Sequence, residues 1–459
     1  LNYASHLIFK KLKLAGRTDV NNGSWDIKFH NCILEGGDRA IRIQTGSHHI
    51  EIKHSTLSSY WEIVDLFNVS YITIESNTFL QFIHSIINGN GLANIVIRNN
   101  LTANIPGLDG MYGNGYGINI NGDSIQILGN KITNIYRGIS CIGSAIELLN
   151  NTIILTTGAT FGINASLVNS TIANNYISIS GSTASIGLSL GYSTNSTIAF
   201  NTVRTVSSNL NSKSAEFSGG TGLLVQNNIF FNQSIGHSVS ITTLPSASLW
   251  DFNNYYSLSN KIGYLNGTTY TTLPAWRAAI GGEANGLSVN PFFLSNSLPD
   301  ISQIGLNNSG IPMQGITVDI DSMPRNPVNP DIGCKEFSPS CNIDAGINAI
   351  TEPANPLNTG MQLVKAVLAN QGVSTLDSVM IHWEVNGVAQ LPISWTGSLG
   401  STQTVEVILG LFDFQAAIAY TIRCWTEAPN SLPDCSHAND TTSSPALYAK
   451  LCGTYTIGG

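Results

Sequence analysis

The chain has 459 residues, with 20 lysines and arginines against 28 aspartates and glutamates, and its formal net charge is −8. This acidic balance excludes a dedicated nucleic-acid binder, which needs a basic face. Only 10% of the residues are charged, but 42% are hydrophobic, so the chain can bury a large core and is not generally disordered. The length predicts two or more domains, and a surface of neutral polar residues is typical of extracellular proteins.

No run of about 18 uncharged apolar residues occurs, so the sequence predicts no membrane span. The chain begins Leu1-Asn2-Tyr3, which is neither a signal peptide nor a plausible natural start. We therefore expect the sequence to be one piece of a longer protein, in which missing targeting signals carry no information.

An internal repeat is the strongest signal in the first half of the chain. The pattern apolar-x-apolar-x-x-Asn-x-apolar, as in Ile72 to Phe79, recurs with a mean spacing of about 25 residues. Each copy alternates apolar and polar residues, which is the period of a β-strand. A unit of this length cannot bury its own apolar face, so the repeat predicts coils that stack on one another.

The recurrent asparagine has a predicted role in this stack. Asparagine tolerates the left-handed backbone of a tight turn, and its amide can bond to the equivalent amide one coil away. The predicted ladder consists of Asn31, Asn77, Asn100, Asn130, Asn151, Asn175, Asn201, Asn228 and Asn254.

This pattern resembles the right-handed parallel β-helix of pectate-lyase-like proteins. The resemblance implies an all-β fold with about 10 or 11 coils over residues 1–270. Because lyases, hydrolases, epimerases, adhesins and inert spacers share that fold, the resemblance does not name an activity.

Residues 271–341 break the repeat and resemble the C-terminal end of secreted bacterial β-helix proteins. Leu273 to Ala279 reads as a short helix that ends before Gly281, and we expect the whole region to cap the stack. Asp319 and Asp321 offer carboxylates that suit Ca²⁺, and the alternative is that they only form a turn.

Residues 342–450 show period-two segments and turn signals at intervals typical of a seven-stranded immunoglobulin-like β-sandwich. The segments 369–372 and 382–387 resemble those of the CARDB-type module of bacterial surface proteins. Asp434 and Asp440, in an acidic late loop, are candidate Ca²⁺ ligands, and the alternative is that they are solvated turn residues.

Residues 451–459 look like the start of a following module. Their Thr-Tyr-Thr-Ile-Gly-Gly phrase resembles the opening of a β-helix block in very long surface proteins of gliding bacteria. Those proteins use the type-nine secretion route, so the resemblance implies that this chain is one unit of a tandem array.

The seven cysteines lack the C-x-x-C spacing of a zinc site. Cys32 and Cys141 are open to interpretation as small buried hydrophobes. The two close pairs predict disulfides formed in an oxidising compartment, Cys334 with Cys341 and Cys424 with Cys435.

Catalytic motifs are missing from the sequence. Acidic residues fall about one per coil or fewer along most of the repeat region, whereas glycoside hydrolysis needs two carboxylates within about 5 to 9.5 Å. The densest charged zone is Lys28 to Glu62, where Asp38, Arg39 and Arg42 are predicted to face His54 from adjacent coils. The alternative is a solvated outer face, which we favour.

Exposed aromatic residues near the turns of the repeat are the candidates for sugar stacking. The predicted glycan-binding residues are Tyr112, Tyr116 and Tyr136.

The sequence therefore favours a structural or adhesive module of a large secreted surface filament, without catalysis and without a cofactor other than Ca²⁺. The expected partners are neighbouring modules, identical chains in a filament and surface glycans of other cells, and not nucleic acid. The alternatives are a glycan-binding module and a polysaccharide lyase-like enzyme.

Overall fold

The computed structural model describes residues 1–103, 115–156, 158–295, 297–337, 342–437 and 439–448. The chain forms two compact units, residues 1–337 and residues 338–459. Tyr112, Cys341 and the predicted following module at 451–459 lie outside the described residues.

The first unit is a parallel β-solenoid, which confirms the predicted fold class. Each coil contributes a strand to three rows, which we name A, B and C in chain order, and every strand pairs in parallel with its equivalent one coil away. Four long strands bend through rows A and B: Glu62–Glu75, Ser85–Arg98, Tyr116–Leu128 and Arg137–Leu149.

The remaining strands of the solenoid are shorter. Row A adds Thr18–Val20, Arg39–Gln44, Phe161–Val168, Ile186–Leu190, Lys213–Ser218, His237–Thr243 and Gly263–Leu265, with Thr268–Tyr270 antiparallel at its end. Row B adds Ser5–Lys10, Trp25–His30, His48–Lys53, Thr171–Ala173, Ser193–Thr194, Thr197–Ala199, Gly220–Thr221, Leu224–Gln226 and Leu249–Asp251. Row C consists of Lys13–Ala15, Ile33–Glu35, Thr56–Ser58, Thr78–Leu80, Leu101–Thr102, Lys131–Thr133, Thr152–Leu155, Tyr176–Gly181, Thr202–Ser207, Ile229–Asn232 and Asn254–Ser257.

The period-two alternation of the sequence places one apolar column of each row inside the solenoid. Ile41, Val64, Ile87 and Ile118, for example, occupy equivalent positions of row A in successive coils and are all buried. Since each coil covers the apolar face of the next, the core is continuous along the unit.

A buried amide ladder runs inside the corner between rows B and C. The side-chain nitrogen Nδ2 of Asn77 donates to Oδ1 of Asn100 at 3.1 Å, and this bond recurs from coil to coil up to Asn228 and Asn253 at 2.9 Å. The other Nδ2 proton goes to a backbone carbonyl of the preceding coil, as from Asn151 to Ile127. Each amide is thereby satisfied without water, as a buried polar group requires.

Two predicted members of the ladder are wrong by one residue. Asn31 is exposed with a φ of 55°, and Cys32 takes the buried ladder position. At the other end Asn253 belongs to the ladder, whereas Asn254 exchanges two hydrogen bonds with the backbone of Val289.

The physical reason is a left-handed residue immediately before each ladder position. It is Asn31 before Cys32 and Phe252, with a φ of 58°, before Asn253. In an Asn-Asn pair, the second asparagine joins the ladder when the first one adopts the left-handed conformation. The first asparagine joins it when the residue before the pair is the left-handed one.

The ladder ends on a buried carboxylate. Glu283 accepts from Asn253 Nδ2 at 2.7 Å and from the Tyr255 hydroxyl at 2.6 Å through Oε1, and from the Asn253 backbone N–H at 3.2 Å through Oε2. Burial raises the pKa of Glu283 to about 7, although these donors act in the opposite direction. Glu283 thus supplies an acceptor for the Asn253 side chain, which has no further ladder amide to donate to.

A short helix, Leu273–Ile280, closes this end of the solenoid. It has Pro274 in its first turn and ends at Gly281, which has a φ of 68° and donates its N–H to the carbonyl of Arg277. Trp276 is fully buried, and a Cβ on Gly263 would lie 2.3 Å from its ring. Glycine is therefore required where the last coil meets the helix.

The rest of the first unit, residues 283–337, turns back along the solenoid; we call it the return segment. It forms hydrogen bonds with successively earlier coils: Val289 bonds to Asn254, Ile311 to Asn227 and Cys334 to Thr202. It contains one 3₁₀ turn, Ile304–Leu306, and adds a second apolar cluster over row C. The predicted cap region therefore covers a side of the stack as well as its end.

The second unit is an antiparallel β-sandwich. One sheet contains Ala345–Glu352, Gly360–Asn370 and Thr404–Phe414, and the other contains Leu376–Val385, Val388–Ala389, Ile393–Leu399, Ile422–Glu427 and Thr441–Ser443. A small pair, Ala419–Tyr420 with Leu447–Tyr448, and a 3₁₀ turn, Pro429–Ser431, complete the described part. Trp383 and Phe414 anchor the core between the sheets.

The ladder predicts a large loss of stability for Asn151→Ala. The change removes the Oδ1 acceptor of the Asn130 backbone N–H and of one Asn130 Nδ2 proton, and Asn175 Oδ1 keeps only the backbone N–H of residue 151 as a donor. We expect the free energy of unfolding to fall by about 2–3 kcal/mol, measured by urea unfolding followed by circular dichroism. The control, Asn150→Gly, keeps the left-handed turn at φ 58° and is expected to change stability by less than about 0.5 kcal/mol. Equal losses for both variants would contradict the role of the ladder.

Glu283 predicts a pH dependence of stability. Its folded-state pKa of about 7 exceeds the ordinary 4.5, so the folded chain binds this proton more tightly than the unfolded chain. The contribution is complete below about pH 4.5 and is lost as the pH rises towards 7. We expect the wild type to lose stability relative to Glu283→Gln between about pH 5 and pH 8 in urea unfolding. Parallel profiles for the two proteins would show that this proton is not involved.

Candidate functional site

A groove runs along the outside of row B across seven consecutive coils. It has a volume of about 840 Å³ and is open to solvent along its length. Polar side chains line most of it, namely Asp26, Lys28, His49, Glu51, Tyr71, Thr73, Asn94, Ser124, Gln126, Glu147, Asn169 and Thr171, with Val96 and Ala145.

Two columns of side chains form the groove. One column occupies left-handed backbone positions, such as Tyr71, Asn94 and Ser124 with φ of 54–56°. The other column has Thr73 and Gln126 at equivalent positions of the strands. Because stacked strands lie about 4.8 Å apart, each column repeats its side chains at that interval.

The groove is charged at its ends and neutral in its middle. At one end Asp26 bonds to Lys28 at 3.2 Å and to His6 Nδ1 at 2.8 Å, and the hydrogen bond from His6 is the main cause of the lowered pKa of Asp26. At the other end Gln126 donates to Glu147 at 2.8 Å.

Glu51 is bonded to a neighbouring column of alternating charges, which consists of Lys53, Glu75 and Arg98. Burial acts to raise the pKa of Glu51, but hydrogen bonds from Lys53 and His30 outweigh it and lower that pKa. Lys53 also reaches Glu75 at 3.5 Å, and Arg98 continues the series at 2.8 Å from Glu75. Opposite charges in successive coils therefore neutralise one another.

Aromatic rings cluster at the end of the groove that contains Asp26. His49 and Tyr71 stack with ring centroids 4.7 Å apart, and 52% of Tyr71 remains exposed. Trp25 lies nearby, stacked on His48 at 6.2 Å and in edge contact with His6 at 4.2 Å. These rings form an exposed apolar platform beside polar side chains.

The charged zone predicted around Arg39 forms a cluster on row A. Arg39 Nη2 lies 2.9 Å from Glu62 and Arg39 Nε lies 2.9 Å from Asp65. Arg42 also reaches Asp65 at 3.2 Å, and His84 reaches Glu62 at 3.2 Å. Burial acts to lower the pKa of Arg39, but the carboxylates of Glu62 and Asp65 raise it above its usual value.

The predicted encounter with His54 is wrong. His54 is exposed at the left-handed corner between rows B and C, whereas Arg39 and Arg42 lie on row A. Asp38 is paired with Arg17 and Arg39. The sequence pattern located the charged cluster but predicted the wrong partner for its arginines. The register of the strands, which decides the row that each residue joins, places Glu62 and Asp65 beside them instead.

The predicted sugar-stacking tyrosines lie away from the groove. The Tyr116 hydroxyl on row A accepts from Arg137 Nη1 at 2.6 Å, and this guanidinium lies 4.9 Å from the Tyr116 ring centre. Tyr136 is half-buried beside Gly158. The residues that do line the groove were missed, although one signal marks them: a column residue immediately precedes the first apolar residue of most repeat copies, as Tyr71 precedes Ile72.

The first pair of candidate Ca²⁺ ligands has other partners. The carboxylate of Asp319 accepts three backbone N–H groups, from Asp321, Met323 and Glu336 at 2.8–2.9 Å. The Asp321 side chain forms an ion pair with Lys335 at 2.8 Å. These contacts agree with the turn interpretation.

Acidic groups do approach one another in the sandwich. Asp344 and Asp434 lie with Cys435 in a group whose candidate ligand atoms are within 4.8 Å of one another. Burial and neighbouring carboxylates raise the pKa of Asp344 and of Asp440, and Asp440 also pairs with His437 at 2.8 Å. Ca²⁺ binding by Asp434 and Asp440 stays a prediction.

The predicted cysteine pairings are wrong. Cys334 and Cys424 are buried and have free thiols, so neither forms its predicted disulfide. Burial raises the pKa of both thiols to about 12. Cys435 is disulfide-bonded, so its sulfur is no thiolate ligand, and Cys424 is not its partner. Cys32 and Cys141 are buried, as the alternative interpretation held.

Comparison with known proteins gives no family assignment. No protein-family profile matches the chain, and no curated protein matches it. No helix in the described ranges is long and apolar enough to cross a membrane.

Solved structures give distant similarities. The chain is similar to the CARDB domain of a Pyrococcus furiosus protein in complex with di-metal ions, with 15% identity, 25% of this chain and 100% of that chain covered, and a TM-score of 0.21. A domain of a proposed cell surface protein from Methanosarcina acetivorans matches with 19% identity, 26% and 99% coverage, and a TM-score of 0.21. The protein XylC in complex with xylose matches with 10% identity, 69% and 66% coverage, and a TM-score of 0.41.

The row A cluster predicts that Arg39 is structural. The side chain of Glu62 is only 5% exposed, and the guanidinium of Arg39, 2.9 Å away, balances the charge of its carboxylate. We expect Arg39→Ala to lower the free energy of unfolding by roughly 3 kcal/mol, because it removes the guanidinium from the buried carboxylate of Glu62 and leaves Asp65 with Arg42 alone. Urea unfolding measures this loss. Arg42→Ala, which removes the longer bond to Asp65 from a more exposed side chain, is expected to cost less than about 1 kcal/mol. A larger loss for Arg42→Ala would contradict this order.

Proposed function

We propose that this chain is a structural and adhesive module of a large secreted surface filament, exported by the type-nine route, and that it catalyses no reaction. The observation that carries the proposal is the unbroken stack with its internal ladder from Asn77 to Glu283. A stack of eleven coils at about 4.8 Å each extends about 50 Å. Such a unit suits a stiff spacer that holds binding surfaces away from a cell.

The use of charge supports a structural role. Carboxylates of rows A and B, such as Glu62, Glu75 and Asp65, form ion pairs with residues of neighbouring coils. Pairs of this kind hold the coils in register, whereas a catalytic acid or base must be available to a substrate. The low charge and the neutral polar surface of the chain favour an extracellular location.

The sandwich supports a modular arrangement. It has its own core, distinct from that of the solenoid, so it is expected to fold as a separate unit. We expect neighbouring modules of the same parent chain, and identical chains in a filament, to be its partners.

Surface display is the direct test. An antibody raised against residues 1–337 is expected to label intact cells of the source organism, and protease treatment of those cells is expected to remove the label. Deletion of the parent gene is expected to reduce attachment of the cells to surfaces or to each other. The purified chain is expected to release neither new reducing ends nor unsaturated products from a polysaccharide panel.

Two outcomes would contradict the proposal. Labelling only after the cells are permeabilised would place the protein inside the cell. Release of products that is lost in Glu62→Gln would make the row A cluster catalytic, because that variant keeps the size of the side chain and removes its charge.

A further inference from the structure

We propose that the row B groove binds an extended, uncharged polysaccharide, laid along the solenoid with its sugar rings stacked on the platform of His49 and Tyr71. This inference rests on the adhesive part of the proposed function and names its ligand class. The site is distinct from the predicted tyrosines Tyr116 and Tyr136 and from the charged cluster of row A.

The backbone leaves only side chains available to a ligand on this face. Strands of row B pair with the coil before and the coil after, as His48–Lys53 does with both Trp25–His30 and Glu62–Glu75. Their backbone N–H and C=O groups point along the stack and are already used. A peptide cannot add as a further strand here, so recognition depends on hydroxyl, amide and ring groups.

The middle of the groove offers the chemistry that sugars use. Thr73, Asn94, Ser124 and Gln126 present hydroxyl and amide groups, which donate and accept hydrogen bonds without net charge. Asn94 and Ser124 are exposed at left-handed positions that alternate with buried isoleucines. Neutral, bifunctional groups of this kind match the hydroxyls of a sugar chain.

The aromatic platform supplies the apolar contact. Tyr71 is half exposed although His49 already stacks on it, so a face or edge of the ring remains free for a ligand. Tyrosine and histidine rings present flat apolar surface with a polar edge. The C–H face of a sugar ring suits such a surface.

The periodicity of the groove favours a polymer. Its two columns extend over six coil intervals, which is about 29 Å at about 4.8 Å per coil. Similar side chains recur along each column, with Asn94 and Asn169 three coils apart in one and Thr73 and Thr171 four coils apart in the other. A ligand that itself repeats can satisfy the same contacts several times.

The charge of the groove excludes acidic polysaccharides. Three carboxylates, Asp26, Glu51 and Glu147, line it against the single ammonium group of Lys28. Lys28 is already paired with Asp26. Lys53 beside the groove is likewise paired with Glu51. An anionic chain would therefore meet net repulsion from carboxylates whose lysine partners are already engaged, whereas a neutral chain would not.

Affinity electrophoresis and isothermal titration calorimetry with the full chain test the inference. The probes are three neutral polysaccharides, xylan, β-glucan and mannan, and two acidic ones, polygalacturonate and alginate. We expect binding of at least one neutral polysaccharide and of neither acidic one. Tyr71→Ala is expected to weaken that binding roughly tenfold, and Asn94→Gly, which keeps the left-handed backbone, roughly threefold.

Tyr192→Ala is the matched control, because Tyr192 is 75% exposed outside the groove. It is expected to bind like the wild type, and thermal unfolding of all variants is expected to be unchanged. Binding of acidic but not neutral chains, no binding of any neutral probe, or equal effects of Tyr71→Ala and Tyr192→Ala would overturn the inference. Surface labelling and gene deletion would still decide the proposed function, since neither depends on the ligand.

Discussion

The hydrogen bond between equivalent asparagine amides is the interaction on which the solenoid depends. A buried amide must find partners for two N–H groups and one carbonyl, and only the coils before and after it, in the correct register, supply them. The bonds from one amide to the next all run in the same chain direction, so they polarise one another. The carboxyl group of Glu283 stands at the end of this row and accepts its last amide bond.

The same register that aligns the ladder also builds the outer surface. Residues one coil apart become neighbours at strand spacing, so a polar position in the repeat becomes a column along the solenoid. Where opposite charges alternate, as in Lys53, Glu75 and Arg98, the column stabilises the stack. Where the residues are neutral and exposed, as in Tyr71 and Asn94, the column forms a groove. The repeat of the coils therefore produces both the ion pairs that stabilise the stack and the groove that we propose binds a ligand.

The return segment shows how the stack is protected where the repeat stops. Trp276 covers the end of the core, and the chain then passes back over row C, with Arg325 stacked 3.8 Å from the Phe200 ring and bonded to Asn174. Burial lowers the pKa of Arg325, while carbonyl and carboxylate partners accept hydrogen bonds from its Nη1 and Nη2. A segment without regular structure is thereby tied to several coils.

The sequence by itself determined the stacked coils, their period, the ladder and the following sandwich, because alternation and repetition are local and the apolar face of one repeat has to be covered by the next. It did not determine the register at Asn31 and Asn254, the free state of Cys334 and Cys424, or the groove at Tyr71. The register and the groove depend on which residue takes the left-handed turn and on which residues one coil away become neighbours, and the free thiols depend on how the chain packs around them. Only the tertiary structure decides these, because a shift of one position exchanges the inside and the outside of a strand.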